Sequence, residues 1–295
     1  MNTLVEPHFT ELRRLLEQAT GMYFDANRRY FLEARVQLRM RALGIGSVDE
    51  YIRYLLQGPE RKRELERLQE LVAVHETYFF RHPQQLHLLR QVVLPKWRSR
   101  MQGWGAKVRI WSSGCASGEE PYSVLMLLIE QFGYEAVSQR VELLATDLSE
   151  AVLEKARKGL YGSNSFRGHL PAEYLARYFL PQDSKRVVRE ELRKLVHFRA
   201  HNLNDPHWDV GADWDLILCR NVLIYFDSLT RNRIIGRFYE LLRPGGYLAL
   251  GESESLYGSE HYGRFEILPG EGAMLYRKPE KAITKEAPHE RTTRF

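Results

Sequence analysis

The chain has 295 residues, 44% hydrophobic and 27% charged, with a formal charge of +5, which leaves room for one large domain or two smaller ones and a mild bias towards acidic partners. Its longest apolar runs, such as "VLMLLI", are too short to span a bilayer, and the opening "MNTLVEPHFTELRR" lacks a secretory plan. Two cysteines, Cys115 and Cys219, argue against a disulfide framework, so a reducing cytoplasm is the expected location.

From Pro7 to about Arg90 apolar residues recur three and four apart, as at Phe9, Leu12, Leu15 and Leu16, which predicts amphipathic helices. Gly21, "GIGS" at Gly44–Ser47 and Gly58–Pro59 divide the stretch into roughly four of them. Ser47 with Glu50 forms a capping-box pattern ahead of "YIRYLL". Residues 1–90 are therefore expected to form an all-helical N-terminal domain.

Beyond about Val92 short apolar runs alternate with helical stretches. "VRIWSS" predicts a strand and "EPYSVLMLLIEQFG" a helix. "VELLAT" predicts a second strand, followed by "SEAVLEKARKGLY", a helix that Ser149 is placed to cap. "DLILC" and "YLALGE" predict strands on either side of the helix "RNRIIGRFYELL". This alternation predicts βαβ units and a mostly parallel sheet over residues 91–280, the α/β class. "FEILPGEGAMLYR" predicts a closing antiparallel hairpin. Residues 161–200 interrupt the alternation with short, charged, β-prone pieces and are expected to form a small insertion on the sheet; the polar tail 281–295 is expected to be disordered.

In an open α/β sheet a ligand sits at the carboxyl ends of the strands, near the topological switch point. Four elements converge on that edge. "SSGCASGEEP" carries Gly114 and Gly118, which allow the backbone close to a ligand. Asp147, just past the second strand, is placed for ribose hydroxyls. Asn202–Leu203 suits the edge and face of an adenine ring, and "CRNVLIYF", Cys219 to Phe226, puts polar residues after a buried strand. The first-turn amides of the helix favour an anion, whereas Glu119 and Glu120 favour a cation, so a zwitterionic ligand uses both. S-adenosylmethionine, with an amino-acid end, a ribose and an adenine, fits better than NAD, whose pyrophosphate the glutamates would repel. Of the pair, Glu119 reads as the ammonium's partner and Glu120 as a favourable first-turn charge. The two cysteines read as packing residues, and no metal is expected.

"HETYFFR" (His75–Arg81), "IWSSGCASGEEPYS" (Ile110–Ser123), "ATDLSEAVLEKARKGLY" (Ala145–Tyr161), "CRNVLIYF" and "LLRPGGYLALGESES" (Leu241–Ser255) resemble the bacterial chemotaxis receptor methyltransferases, the CheR type. The resemblance spans roughly residues 5–280, with the motifs in order. It implies a class I Rossmann-like methyltransferase domain with a small inserted antiparallel β-subdomain, preceded by an all-helical N-terminal domain. The implied reaction moves a methyl group from S-adenosyl-L-methionine, leaving S-adenosyl-L-homocysteine, to glutamate side chains on the cytoplasmic helical region of chemotaxis receptors, which sets sensory adaptation. The resemblance implies that His75, Thr77 and Arg81 reach the cofactor from the helical side, although the family often has asparagine where His75 stands. Gly114, Ser117, Glu119, Asp147, Asn202, Leu203, Arg220 and Asn221 complete the implied cofactor site.

An acceptor glutamate is already ionised near neutral pH, its ordinary pKa being about 4.3, so no strong base is required and alignment is the main task. Arg81 and Tyr225 are the residues expected beside the reacting centre. Arg28, Arg35, Arg39 and Arg41 populate one helix, and the matching helix in the family meets the acidic receptor bundle, so these four are the expected docking residues. The competing readings are a methyltransferase acting on nucleic acid or a small molecule, and a non-catalytic cofactor-sensing receptor adaptor. "CRNVLIYF" lacks the Asn/Asp-Pro-Pro-Tyr/Phe pattern of amino-methylating DNA enzymes, and there is no base-stacking stripe. A monomer is expected, with no nucleic-acid partner and no direct membrane insertion.

Overall fold

The computed structural model describes residues 4–72, 76–103, 106–168 and 170–280. Four helices open it: α1 (Glu6–Thr20), α2 (Arg29–Leu43), α3 (Val48–Gln57) and α4 (Arg61–Val72). The expected spacing is what they bury. In α1 the inward residues are Phe9, Leu12, Leu16 and Thr20, and in α2 Leu32, Val36 and Met40. At roughly 1.5–3 kcal/mol per large apolar side chain removed from water, this shared core holds the helices together more than their propensities do. Ser47 starts α3 by accepting a hydrogen bond from the Glu50 amide at 3.2 Å.

The helical core ends at Val72. Phe79 and the residues up to Met101 pack instead into the core of the sheet, including α5 (Pro83–Leu88), a π turn (Leu89–Val93) and α6 (Leu94–Gln102). The boundary expected near residue 90 is therefore too late, because a 3.6-residue period identifies a helix without identifying what it packs against.

The remaining elements are β1 (Val108–Ser113), α7 (Glu119–Phe132), α8 (Tyr134–Arg140), β2 (Val141–Asp147), α9 (Glu150–Lys158), β3 (Leu160–Tyr161), α10 (Ala172–Tyr178), β4 (Phe179–Gln182), β5 (Lys185–Val188), α11 (Glu190–Arg193), β6 (Val196–Ala200), β7 (Trp214–Cys219), α12 (Ser228–Leu241), β8 (Leu242–Leu250), β9 (Glu266–Gly270) and β10 (Ala273–Arg277). Seven strands form one sheet in the order β6-β2-β1-β7-β8-β10-β9. The first five run parallel and β9–β10 is the antiparallel hairpin. Side chains alternate between two cores: Leu216 and Leu218 of β7 face one, Ile217 and Cys219 the other. Helices cover both faces, which is the Rossmann-like, three-layer arrangement.

The insertion is a three-stranded antiparallel sheet, β3-β5-β4, with α10 packed beside it. It is shorter than expected at its end, since Val196–Ala200 pairs with β2 as the edge of the main sheet. Between β1 and β7 the strand order reverses, and their carboxyl ends open the switch point. No described helix is long and apolar enough to cross a membrane.

Candidate active site

A cavity sits at that switch point, walled by the ends of β1, β2 and β7 and by the segments flanking α1 and α5. Its floor begins in the turn after β1. Gly114 holds φ at +73° and faces Val222 so closely that a Cβ would clash, so two independent constraints demand glycine. Gly118, at φ +93°, then starts α7. Asp147 Oδ2 accepts from the Ala116 amide at 2.9 Å and Oδ1 from the Ser149 amide at 3.1 Å, which fixes its carboxylate at the cavity wall.

Glu120 and Glu119 diverge. Successive helical positions differ by about 100° in direction, so two neighbours in a first turn do not face the same place. Glu120 lines the cavity, accepts from Ser112 Oγ at 2.7 Å and pairs with Arg220 at 3.2 Å. Glu119 turns away from it: Ser117 Oγ and Ser165 Oγ each donate to its carboxylate at 2.8 Å, tying α7 to the insertion. Burial pushes the Glu119 pKa up, and those hydroxyls offset part of the rise. The expected assignment of the pair is thus reversed in geometry, and Ser117 goes with Glu119, away from the cavity.

The segment from Glu76 to His82 forms the opposite wall. Phe79 is fully buried among Tyr161, Phe166 and Phe179, with ring centroids 4.8–5.3 Å apart, and its amide donates to the Ser165 carbonyl. The Phe80 amide donates to Ser123 Oγ at 3.0 Å. Packed phenylalanines thereby anchor the segment between cavity-lining Thr77 and Tyr78 on one side and Arg81 on the other. Arg81 donates to the Glu76 carbonyl at 2.7 Å, and its own carbonyl accepts from Arg220 at 2.6 Å. Burial lowers the Arg220 pKa and Glu120 counters it, but a guanidinium stays charged. Phe80, His82, Ala116 and Asn221 all hold φ between +47° and +60°. Such conformations cost about 1–2 kcal/mol each in residues bearing a Cβ; Ala116 and Asn221 line the cavity, and Phe80 and His82 flank Arg81, which also lines it.

Tyr225 follows β7 and faces the cavity from beside the helical domain. Its carbonyl accepts from the Tyr23 amide at 2.7 Å, and the Arg28 guanidinium lies 5.5 Å from its ring centre. Burial raises the Tyr225 hydroxyl pKa, with Arg28 and Arg81 pulling the other way. The phenol is therefore a proton-bearing hydrogen-bond donor near neutral pH.

Of the other expected site residues, Thr77, Gly114, Leu203 and Asn221 line the cavity, and His75 lies outside the described residues. Asn202 lines it too, but its side chain is engaged: Nδ2 donates to the Ala19 carbonyl at 2.8 Å and Oδ1 accepts from the Asn204 amide. Among the four arginines, Arg39 is turned inward in a two-pronged pair with Glu64 at 2.7–2.8 Å, Arg35 stacks on Phe31, and Arg41 is exposed. The cavity also takes Thr20 and Met22 from the end of α1, Ser113 and His201, none of which carries a sequence signal.

The acceptor-rich floor suits a ligand with an ammonium and vicinal hydroxyls: Glu120 could take the first and Asp147 the second. This sheet order, with a carboxylate in the first turn of α7 and another at the end of β2 and a glycine turn at the switch point, defines an S-adenosylmethionine-dependent Rossmann-like methyltransferase. Residues 75–272 match the family model "CheR methyltransferase, SAM binding domain" and residues 7–72 match "CheR methyltransferase, all-alpha domain". The chain belongs to the CheR methyltransferase family. It is 36% identical over 295 residues to "Chemotaxis protein methyltransferase 2" of Vibrio cholerae serotype O1, covering 97% of this chain and 98% of that one. It is 32% identical over 262 residues to the "Chemotaxis protein methyltransferase" of Borreliella burgdorferi, covering 88% and 91%. Among solved structures it is similar to the N-methyltransferase NodS of Bradyrhizobium japonicum in complex with S-adenosyl-L-homocysteine, at 15% identity and a TM-score of 0.39 over 69% of this chain and 89% of that one.

Proposed function

We propose that the chain methyl-esterifies glutamate side chains on the cytoplasmic helical region of chemotaxis receptors. The observation that carries this reading is that one cavity holds carboxylates suited to the cofactor together with cationic donors suited to an anion. Glu120 and Asp147 line the cavity, with Arg220 paired to Glu120; Arg81 and Tyr225 line it too, and with Arg28 5.5 Å from the Tyr225 ring they form a cationic, hydrogen-bond-donating mouth. An anionic acceptor suits that mouth, and the relatives named chemotaxis protein methyltransferases support a receptor as its source.

S-adenosylmethionine, when bound, supplies an electrophilic methyl group. Glu120 and Asp147 hold the cofactor's polar groups, with Thr77, Leu203, Arg220 and Asn221 completing the site. Arg81 and Tyr225 orient the acceptor carboxylate by donating to it, which removes water from one side of it. The carboxylate needs no deprotonation, so alignment is the larger contribution. Arg28, Arg35 and Arg41 guide the acidic receptor bundle to the mouth; Arg39 serves the helical core. The test is tritiated methyl transfer to a receptor cytoplasmic fragment and, in parallel, to nucleic acid. Base-labile label on the fragment is expected. Base-stable label, label on nucleic acid, or none at all refutes the ester.

A further inference from the structure

We propose that Glu254, in the "GESES" stretch after β8, is the positioning residue that sets the loop carrying Asn221 and Tyr225 into the cavity. Both carboxylate oxygens are committed to backbone amides. Oε2 accepts from Asn221 and from Gly251, each at 2.7 Å, and Oε1 from Val222 at 2.8 Å and Ile224 at 3.2 Å. Three of these four amides belong to one irregular turn, where no ladder supplies acceptors. An ionised carboxylate bound by several amides makes stronger bonds than a carbonyl would. The turn needs that support, because Asn221 is held at φ +60°.

The residues so held are those that face the ligand. Asn221, Val222 and Tyr225 line the cavity, and Tyr225 directly follows the last of the three amides. A second observation marks the same contact. A Cβ on Gly251 would lie 2.7 Å from both the Asn221 nitrogen and Glu254 Oε2. His82 touches the far side of Asn221, its Nε2 3.3 Å from the side-chain oxygen, while its Nδ1 meets Glu252. Glu254 itself does not line the cavity. It acts by fixing where Asn221 and Tyr225 stand.

The experiment is calorimetric binding of S-adenosyl-L-homocysteine to the full chain and to Glu254→Gln, Glu254→Asp and Gly251→Ala, with thermal melting of each. In Glu254→Gln an amide group replaces an acceptor and opposes a backbone donor, so binding is expected to weaken about tenfold or more while the fold melts cooperatively. Glu254→Asp restores charge and acceptors and should recover to within about threefold of the parent; Gly251→Ala should weaken binding with the carboxylate intact. Turnover on a receptor fragment adds a second reading, which rests on the proposed acceptor: kcat falls with KM for the fragment little changed. A parent enzyme that leaves the fragment unlabelled counts against that acceptor alone, since the binding arm still decides the role of Glu254. Parent-like binding by Glu254→Gln, or a loss that Glu254→Asp does not recover, overturns the proposal. Should Glu254→Gln not fold, parent-like binding by Gly251→Ala overturns it.

Discussion

Glu119 and Glu120 are adjacent in the chain and do different work. Both were visible in the sequence, but which faces the ligand was not. Helix α7 is buried on nearly all sides from Pro121 to Leu128, so no polar stripe reveals its phase. Glu120→Gln is expected to weaken S-adenosyl-L-homocysteine binding by about tenfold or more, the worth of one charge-assisted hydrogen bond, and to lower the melting temperature by removing the carboxylate that balances the buried Arg220 charge. Glu119→Gln keeps an acceptor for one serine and offers an amide N–H to the hydroxyl of the other, and should bind within about threefold of the parent. If calorimetry finds Glu119→Gln the more damaging, the cavity assignment is wrong. His201 offers a residue-level test by pH. Burial among Trp111 and Trp208 pulls its pKa from 6.5 down to about 4. Well above pH 6.5 it is neutral folded or unfolded and costs nothing. As the pH falls from 6.5 towards 4 the unfolded chain takes up a proton that the folded chain refuses, so stability is lost in that window. Denaturant melts of His201→Phe should show about 1–2 kcal/mol less acid destabilisation across it, a figure reduced for partial solvent screening. An equal acid response in both proteins would remove His201 as the cause.

At the scale of elements the arginines of α2 separate by what each touches. Arg39 pairs with Glu64, whose side chain is only 2% exposed and also accepts from the Tyr51 hydroxyl. Removing it strands a buried carboxylate. Arg39→Ala is expected to cost about 3 kcal/mol in denaturant melts, while Arg41→Glu, at an exposed position, stays within about 0.5 kcal/mol. Comparable losses would mean that α2 is held some other way. The sequence spacing of Arg35 and Arg39 could not make this distinction, because their shared face is shared with Glu64, a residue 25 positions away. The same limit explains the two misjudged boundaries. Period and propensity are local, so the helices, the alternating strands and the β9–β10 hairpin could be read. Partners are not local: α5 and α6 joining the sheet, and Val196–Ala200 pairing with β2, depend on contacts distant in sequence.

For the whole molecule, the two domains meet at the mouth of the cavity, which is where the docking face and the methyl-transfer site would have to cooperate. Reversing Arg35 and Arg41 together to glutamate should abolish receptor methylation while calorimetric cofactor affinity stays at the parent value. Unchanged methylation of a receptor fragment by that variant would sink the docking face. The fold class, the strand order's switch point and most of the cavity floor follow from motifs near strand ends, where glycines and carboxylates stand out. The contribution of α1 does not, since Thr20 and Met22 resemble any helix terminus.

The junction at Met22 carries a practical consequence for grafting. Met22 bridges Phe226 across the two domains, the Tyr23 amide binds the Tyr225 carbonyl, and Asn202 reaches back to Ala19. A chimaera that exchanges the helical domain of one relative for another, to redirect it to a new receptor, therefore also replaces part of the rim around Tyr225. A graft that leaves that rim intact keeps residues 19–23 from the host.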